Sequence, residues 1–178
     1  SWEDLSARYT AELANGFGNL ASRTVAMVTR YFDSEIPQAN EYQPADKQVQ
    51  EVAAQAVSGA EAAMDRVAIH EAIASTWKLV DELNNYITTQ EPWVLAKEES
   101  TRERLGTVLY TSIEGLRVLA VLLAPVMPKA CEKLWAAIGS SLGELSNQSI
   151  SEAGVWGQLI AGTKISELEA LFPRVEEK

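Results

Sequence analysis

Apolar residues recur at intervals of three and four positions along most of this chain, and this spacing constrains its fold more than any other feature. Residues spaced in this way share one face of an α-helix, because each position turns about 100° around the helix axis. The broadest apolar face falls within residues 101–123 and comprises Leu105, Leu109, Ile113, Leu116, Leu119, Ala120 and Leu123. No stretch alternates apolar and polar residues as a half-buried strand does. The sequence therefore predicts an all-α fold, a helical bundle.

The spacing predicts six helices. They cover residues 1–31, 46–66, 68–88, a short segment that begins at Pro92, 101–123 and 127–139. Ser1 and Asp4 resemble a capping box for the first helix, Asp46 is expected to cap the second, and Gly139 to close the last. Residues 33–45 contain two prolines and no period, so we expect a loop there.

A chain of 178 residues is long enough for one domain with a sizeable core. We expect a helical bundle over residues 1–139 and an extension over 140–178 that packs back on the protein. The single cysteine, Cys131, can form neither an internal disulfide nor a thiolate metal site, which fits a reducing cytoplasm. No apolar run approaches the roughly 18 residues of a spanning helix, and no signal pattern begins the chain, so no membrane role is expected.

The formal net charge of −10 argues against a protein that coats phosphates with Lys and Arg. We therefore expect no DNA partner. A single-stranded RNA loop stays compatible with this charge, because splayed bases can stack on aromatic side chains and be read along their edges.

Residues 13–23, with the sequence LANGFGNLASR, place Asn19 and Arg23 one helical turn apart at the edge of an apolar stripe. An amide beside a guanidinium can read the donors and acceptors of a nucleobase edge. The alternative is a polar pair on a solvated face. Gly16 and Gly18 each cost up to about 1 kcal/mol inside a helix, which predicts either close packing of a neighbouring helix or room for a ligand near Asn19.

Residues 84–97, with the sequence NNYITTQEPWVLAK, contain a sharp break at Pro92. Proline suits the first turn of a short helix and pushes the preceding Glu91 toward an extended conformation, so the backbone bends there and directs Trp93. This tryptophan is either a plug in the core or a platform for a ligand.

Catalytic and metal patterns are not found in the sequence. His70 and Glu71 begin the metalloprotease pattern H-E-x-x-H, but Ala74 occupies the position of the second histidine. Neither a glycine-rich phosphate loop nor a nucleophile constellation takes its place. We expect no catalytic residue, no metal site and no cofactor in this chain.

Three stretches together resemble the anticodon-binding domain of bacterial methionyl-tRNA synthetases: GNLASR, the pair NxYI and EPW, and the ending LFPR. The segment LLAPVMPKACEKLW is similar to a helix junction of class I synthetases more broadly. The resemblance covers essentially the whole chain and implies an all-helical bundle of the class I aminoacyl-tRNA synthetase anticodon-binding type.

The resemblance also implies a function. Trp93 would stack on the first anticodon base, a cytosine, while Asn19 and Arg23 hydrogen-bond its edge, with Asn15 and Pro92 in support. The partners would be methionine tRNA and the catalytic domain of the same enzyme, a cytoplasmic and monomeric ligase that uses ATP and magnesium. This chain alone would be inactive, because the residues for that chemistry are not in it.

Two alternatives remain open at this point. One is the equivalent domain of a sister class I synthetase for another apolar amino acid. The other is a helical interaction scaffold with no RNA role, which an acidic surface and long helices would suit equally well.

Overall fold

The fold of the chain was described from a computed structural model, which covers residues 11–12, 14–66 and 69–172. Residues 11–12 are helical, and seven further α-helices lie in the described part of the chain. In chain order they are α1 (Asn19–Phe32), α2 (Pro44–Arg66), α3 (Ile69–Gln90), α4 (Pro92–Leu95), α5 (Arg102–Leu123), α6 (Pro128–Ile138) and α7 (Ile150–Ala153). A π-helical turn, Ala14–Gly18, leads into α1. The described residues contain one isolated bridge, between Glu35 and Lys164, and no longer strand, which confirms the all-α prediction.

Helix α5 forms the centre of the bundle, because every residue from Leu105 to Leu123 is buried. The expectation that no stretch is long and apolar enough to span a membrane is wrong in one respect. By length and composition alone, Glu99–Leu123 qualifies, but its apolar window is entirely buried inside the protein. It is therefore explained as a core helix.

Helices α3 and α5 run in opposite directions and approach closely. Gly115 of α5 lies under Leu83 of α3, where an added Cβ would come within 2.7 Å of the Leu83 Cδ2. Further along, Arg104 at the start of α5 meets Gln90 at the end of α3. Helix α1 also ends beside the start of α5, since Phe32 lies 3.6 Å from the Cβ position of Gly106. Helices α1 and α3 consequently run in the same direction.

The segment after Gly139 is attached to the bundle through polar groups of α5. The carboxylate of Glu114 accepts hydrogen bonds from the backbone N–H groups of Gly157 and Gln158, and Arg117 donates to the Ala153 carbonyl. Glu114 and Arg117 are fully buried and pair with each other at 2.6 Å. Five apolar residues of the segment also enter the core: Leu145, Ala153, Leu159, Ile165 and Leu171. The division at residue 139 stays a prediction.

The predicted starts of the first two helices have different outcomes. The Ser1 and Asp4 capping box lies outside the described residues. Asp46 does not precede the second helix, which begins at Pro44. Its Oδ2 instead accepts a hydrogen bond from the backbone N–H of Gln43 at 2.8 Å. The side chain thus reaches back from the third helical position to the residue before the helix, as the acidic residue of a capping box does. Helices α2 to α6 begin and end within about two residues of the predicted positions, the usual ambiguity of helix ends. The π-helical turn inside the first predicted helix and the short helix α7 were not predicted.

Candidate nucleic-acid interface

The first turn of α1 presents polar side chains on one side and buries apolar ones on the other. Phe17, Leu20 and Thr24 are buried, whereas Asn19 and Arg23 are exposed, as is Asn15 in the π-helical turn. Neither the Asn19 nor the Arg23 side chain hydrogen-bonds another described residue. Their donors and acceptors are therefore available to an external partner.

The two glycines before Asn19 are explained by close packing, the first of the two interpretations offered above. A Cβ at Gly16 would lie 3.2 Å from Val80 Cγ1 and 3.3 Å from Trp77 Cη2, both on α3. A Cβ at Gly18 would lie 3.2 Å from Phe172 Cδ2, in the C-terminal segment. Both contacts are tighter than most real Cβ contacts, so a larger residue would push these elements away from α1.

Asn84 joins this turn to α3. Its side-chain amide donates to the Gly16 carbonyl at 3.2 Å and to the Val80 carbonyl at 3.1 Å. Arg23 lies seven residues beyond Gly16, and Glu91 lies seven residues beyond Asn84. The hydrogen bond therefore joins the turn before α1 to the last two turns of α3.

The predicted break between α3 and α4 is present, but its backbone conformation differs from the prediction. Glu91 does not adopt the expected extended conformation but a left-handed one, with φ 49° and ψ 61°. The reason lies in its carbonyl, which must point into α4 to accept the N–H groups of Val94 at 2.9 Å and Leu95 at 3.2 Å. A left-handed non-glycine residue costs roughly 1–3 kcal/mol, so the surroundings must hold it in place.

Trp93 is held at the surface by this break. Pro92 is buried, whereas the Trp93 side chain is 39% exposed and the neighbouring Val94 43%. An exposed tryptophan of this kind is not a core plug, which removes one of the two interpretations given above. Part of its ring is therefore accessible to an external partner.

Behind the break lies a polar cluster that sequence reasoning missed. Arg104 forms a bidentate ion pair with the fully buried Asp46, with N–O distances of 2.7 and 2.9 Å. Its Nη2 also donates to Gln90 Oε1 at 2.8 Å. The Tyr86 hydroxyl donates to Asp46 Oδ1. In the sequence, Arg104 ends the polar segment EESTRER, which shows no pattern of its own. Tyr86 was noticeable only because it belongs to the NxYI stretch.

The charges in this cluster shift two pKa values. Burial opposes ionisation of Asp46, but hydrogen bonds from Arg104, Tyr86 and the Gln43 N–H outweigh it, so the pKa of Asp46 lies below its ordinary value. Burial and the neighbouring Asp46 carboxylate together raise the pKa of the Tyr86 hydroxyl. Asp46 therefore stays ionised and Tyr86 stays a donor at neutral pH.

Two cavities among the described residues lie apart from the candidate residues. One cavity, of about 580 Å³, is lined by residues that include Phe32, Arg102 and Lys164, and another, of about 550 Å³, lies between α1 and Leu168. Neither is lined by Asn19, Arg23 or Trp93. Within the described residues, no three His, Cys, Asp or Glu side chains gather where they could hold a metal ion. The side chain of His70 lies outside the described residues.

Comparison with known families gives a match over residues 36–178 to the anticodon binding domain of methionyl tRNA ligase. That match includes Trp93 and begins after Asn19 and Arg23. The methionine–tRNA ligase of Streptomyces coelicolor is 45% identical over 183 aligned positions, covering 100% of this chain and 34% of the relative. The enzyme of the same description from Caldanaerobacter subterraneus subsp. tengcongensis is 38% identical, covering 98% of this chain and 27% of the relative. The chain spans between about a quarter and a third of the length of these relatives.

Solved structures agree with the sequence comparison. The apo form of Mycobacterium tuberculosis methionyl-tRNA synthetase superposes with a TM-score of 0.86 at 31% identity, over 100% of this chain and 35% of that one. The same enzyme in complex with methionyl-adenylate gives a TM-score of 0.85 at 32% identity, over 97% of this chain and 33% of that one. The helical arrangement described above is thus the one found in a part of those structures.

Proposed function

Since this chain belongs to the family of anticodon-binding domains of methionyl-tRNA ligases, we propose that it binds the anticodon loop of methionine tRNA through the surface formed by Asn19, Arg23 and Trp93. Asn15 and Pro92 support that surface. The observation that carries the proposal is the exposed Trp93, fixed on the buried Pro92 at the end of α3. A rigid, half-exposed aromatic ring beside unpaired polar groups is what a stacked and edge-read base requires.

The chemistry of the first anticodon base, a cytosine, fits Asn19 and Arg23. Cytosine presents an amino donor beside two acceptors, which an Asn carbonyl and Arg donors can satisfy together. Uracil offers an acceptor where the Asn carbonyl needs a donor. An unpaired polar group in a desolvated contact costs about 1–3 kcal/mol, enough for about tenfold or greater discrimination.

The acidic composition is compatible with this role. Recognition here rests on stacking and edge contacts, so few phosphate contacts are needed, and the net charge of −10 weakens only non-specific binding. We expect affinity for the loop to depend less on salt than that of a basic RNA-binding protein. A scaffold without an RNA role would need neither a half-exposed tryptophan nor Asn and Arg side chains without hydrogen-bond partners among the described residues.

The parent enzyme would be a cytoplasmic, monomeric methionine–tRNA ligase. Its catalytic domain, the second expected partner, would activate methionine with ATP and magnesium and attach it to the tRNA. We assign no residue of this chain to that chemistry. This chain would select the tRNA by its anticodon and hold it for the catalytic domain.

Titration of the 178-residue chain with a stem-loop bearing the CAU anticodon tests the proposal. A stem-loop of equal length and charge with a scrambled loop serves as the control. We expect saturable binding to the first RNA and at least about tenfold weaker binding to the second. Equal affinity for the two loops would contradict the proposal and would favour the scaffold alternative.

A further inference from the structure

We infer that Gln90, held by Arg104, is a positioning residue for Trp93: it fixes the end of α3 from which the stacking platform projects. The inference rests on the proposed function, since it matters for RNA only if Trp93 stacks on a base. Gln90 lies three residues before Trp93 and is itself half-buried.

The connection runs through three side chains. Asp46, on α2, fixes both ends of the Arg104 guanidinium at 2.7 and 2.9 Å. The same Nη2 that meets Asp46 donates to Gln90 Oε1 at 2.8 Å. Because a guanidinium bound through two nitrogens cannot rotate, its remaining contact has a fixed direction. Gln90 is therefore held against the rigid frame formed by α2 and α5.

The segment just after Gln90 requires such support. Glu91 adopts a left-handed conformation that non-glycine residues avoid, and α4, which carries Trp93, is a single turn of four residues. On the far side of Trp93, the Thr101 hydroxyl donates to the Leu95 carbonyl at 2.6 Å. The Trp93 turn is thus fixed on both sides, by Gln90 before it and by Thr101 after it.

A substitution of Gln90 distinguishes a positioning role from a purely structural one. Replacing Arg104 or Asp46 would leave a charged partner unpaired and destabilise the whole bundle. Replacing Gln90 with methionine keeps about the length of the side chain and removes its amide, including the Oε1 that accepts from Arg104, while the ion pair between Arg104 and Asp46 remains. Any change in RNA affinity would then arise from the loss of this contact at the end of α3.

The experiment measures affinity for two stem-loops, one with cytosine and one with an abasic site at the first anticodon position. The ratio of the two affinities isolates the contribution of the first base. Any loss of folded protein lowers both affinities by the same factor, so it does not change the ratio. The ratio is determined in the 178-residue chain and in Gln90→Met, Trp93→Ala and the double variant. Gln55→Met, at an exposed position on α2, is the matched control.

The inference predicts that Gln90→Met lowers the ratio by between about threefold and tenfold, the loss expected when one hydrogen bond that orients the platform is removed. Gln55→Met should leave the ratio unchanged. In the Trp93→Ala background, Gln90→Met should have no further effect, because the platform that it positions is already gone.

Three results would overturn the inference. If Gln90→Met matches Gln55→Met while Trp93→Ala lowers the ratio, the positioning role is wrong and the proposed function stands. If Gln90→Met lowers the ratio equally in both backgrounds, Gln90 acts independently of Trp93. If Trp93→Ala itself leaves the ratio unchanged, both the proposed function and the positioning role are wrong.

Discussion

The side-chain amide of Asn84 donates a hydrogen bond of 3.2 Å to the backbone carbonyl of Gly16. This bond joins two of the three regions that carry the resemblance to the synthetase family, one around the start of α1 and the other at the end of α3. It also ties the turn that precedes Asn19 to the helix that ends just before Trp93. The geometry of the proposed site therefore depends on a residue that we do not expect to contact RNA.

Asn84→Ala should lower the free energy of unfolding by about 1–3 kcal/mol, because the half-buried Gly16 carbonyl loses its side-chain donor. Asn85→Ala, at the adjacent but exposed position, should change it by less than about 0.5 kcal/mol. Urea denaturation of both variants measures the difference. Equal stability of the two variants would show that the bond between α3 and the π-helical turn contributes nothing.

Trp93→Ala should weaken binding of the CAU stem-loop by about 1–3 kcal/mol, the usual contribution of one stacked base. Its stability should fall much less than that of Trp135→Ala, since Trp135 is only 4% exposed and donates to the Gly143 carbonyl. Removing a buried tryptophan typically costs about 3–5 kcal/mol. Melting temperature and affinity are measured on the same samples. A collapse of the melting temperature for Trp93→Ala would show that the ring supports the core.

Local sequence patterns determine the positions of the long helices and the break before Trp93, but not the contacts between helices. The helices were predictable because apolar spacing over 20 residues leaves few alternatives, and Trp93 was recognisable from the break at Pro92. The left-handed Glu91 was not, because the preference of a residue before proline was overruled by hydrogen bonds from Val94 and Leu95. The contact of Arg104 with Gln90 was also not predictable, since 14 positions separate two polar residues that only the folded bundle brings together.

Asp46→Asn should destabilise the chain on the order of 3 kcal/mol at neutral pH, because it leaves Arg104 without its charged partner. The pKa of Asp46 is lowered in the folded state, so its contribution is fully present above the unfolded pKa of about 4 and is lost as the pH falls through the folded pKa. The difference between wild type and Asp46→Asn should therefore shrink on acidification below about pH 4.

Urea denaturation at neutral and acidic pH measures this difference. The control is Glu51→Gln, an exposed carboxylate on the same helix, which should have little effect at either pH. A difference between wild type and Asp46→Asn that stays constant with pH would mean that the ion pair does not couple folding to ionisation.

Cys131 should resist alkylation in the folded chain. It is fully buried, and burial, with a smaller contribution from Glu132, raises the pKa of its thiol to about 12. Only the thiolate reacts, so iodoacetamide at about pH 8 should label the chain in denaturant and not in native buffer. Mass spectrometry gives the labelled fraction. Rapid labelling under native conditions would show that α6 opens readily from the bundle.

Recognition of the first anticodon base is tested most directly by the ratio of affinities for two stem-loops, one with cytosine and the other with uracil at that position. The ratio is measured in wild type, in Arg23→Ala and in Arg30→Ala, which removes the same charge from another exposed position on α1. We predict a preference for cytosine of at least about tenfold in wild type and Arg30→Ala, and a large loss of that preference in Arg23→Ala. An unchanged preference in Arg23→Ala, or no preference in wild type, would contradict the assignment of this surface to the anticodon.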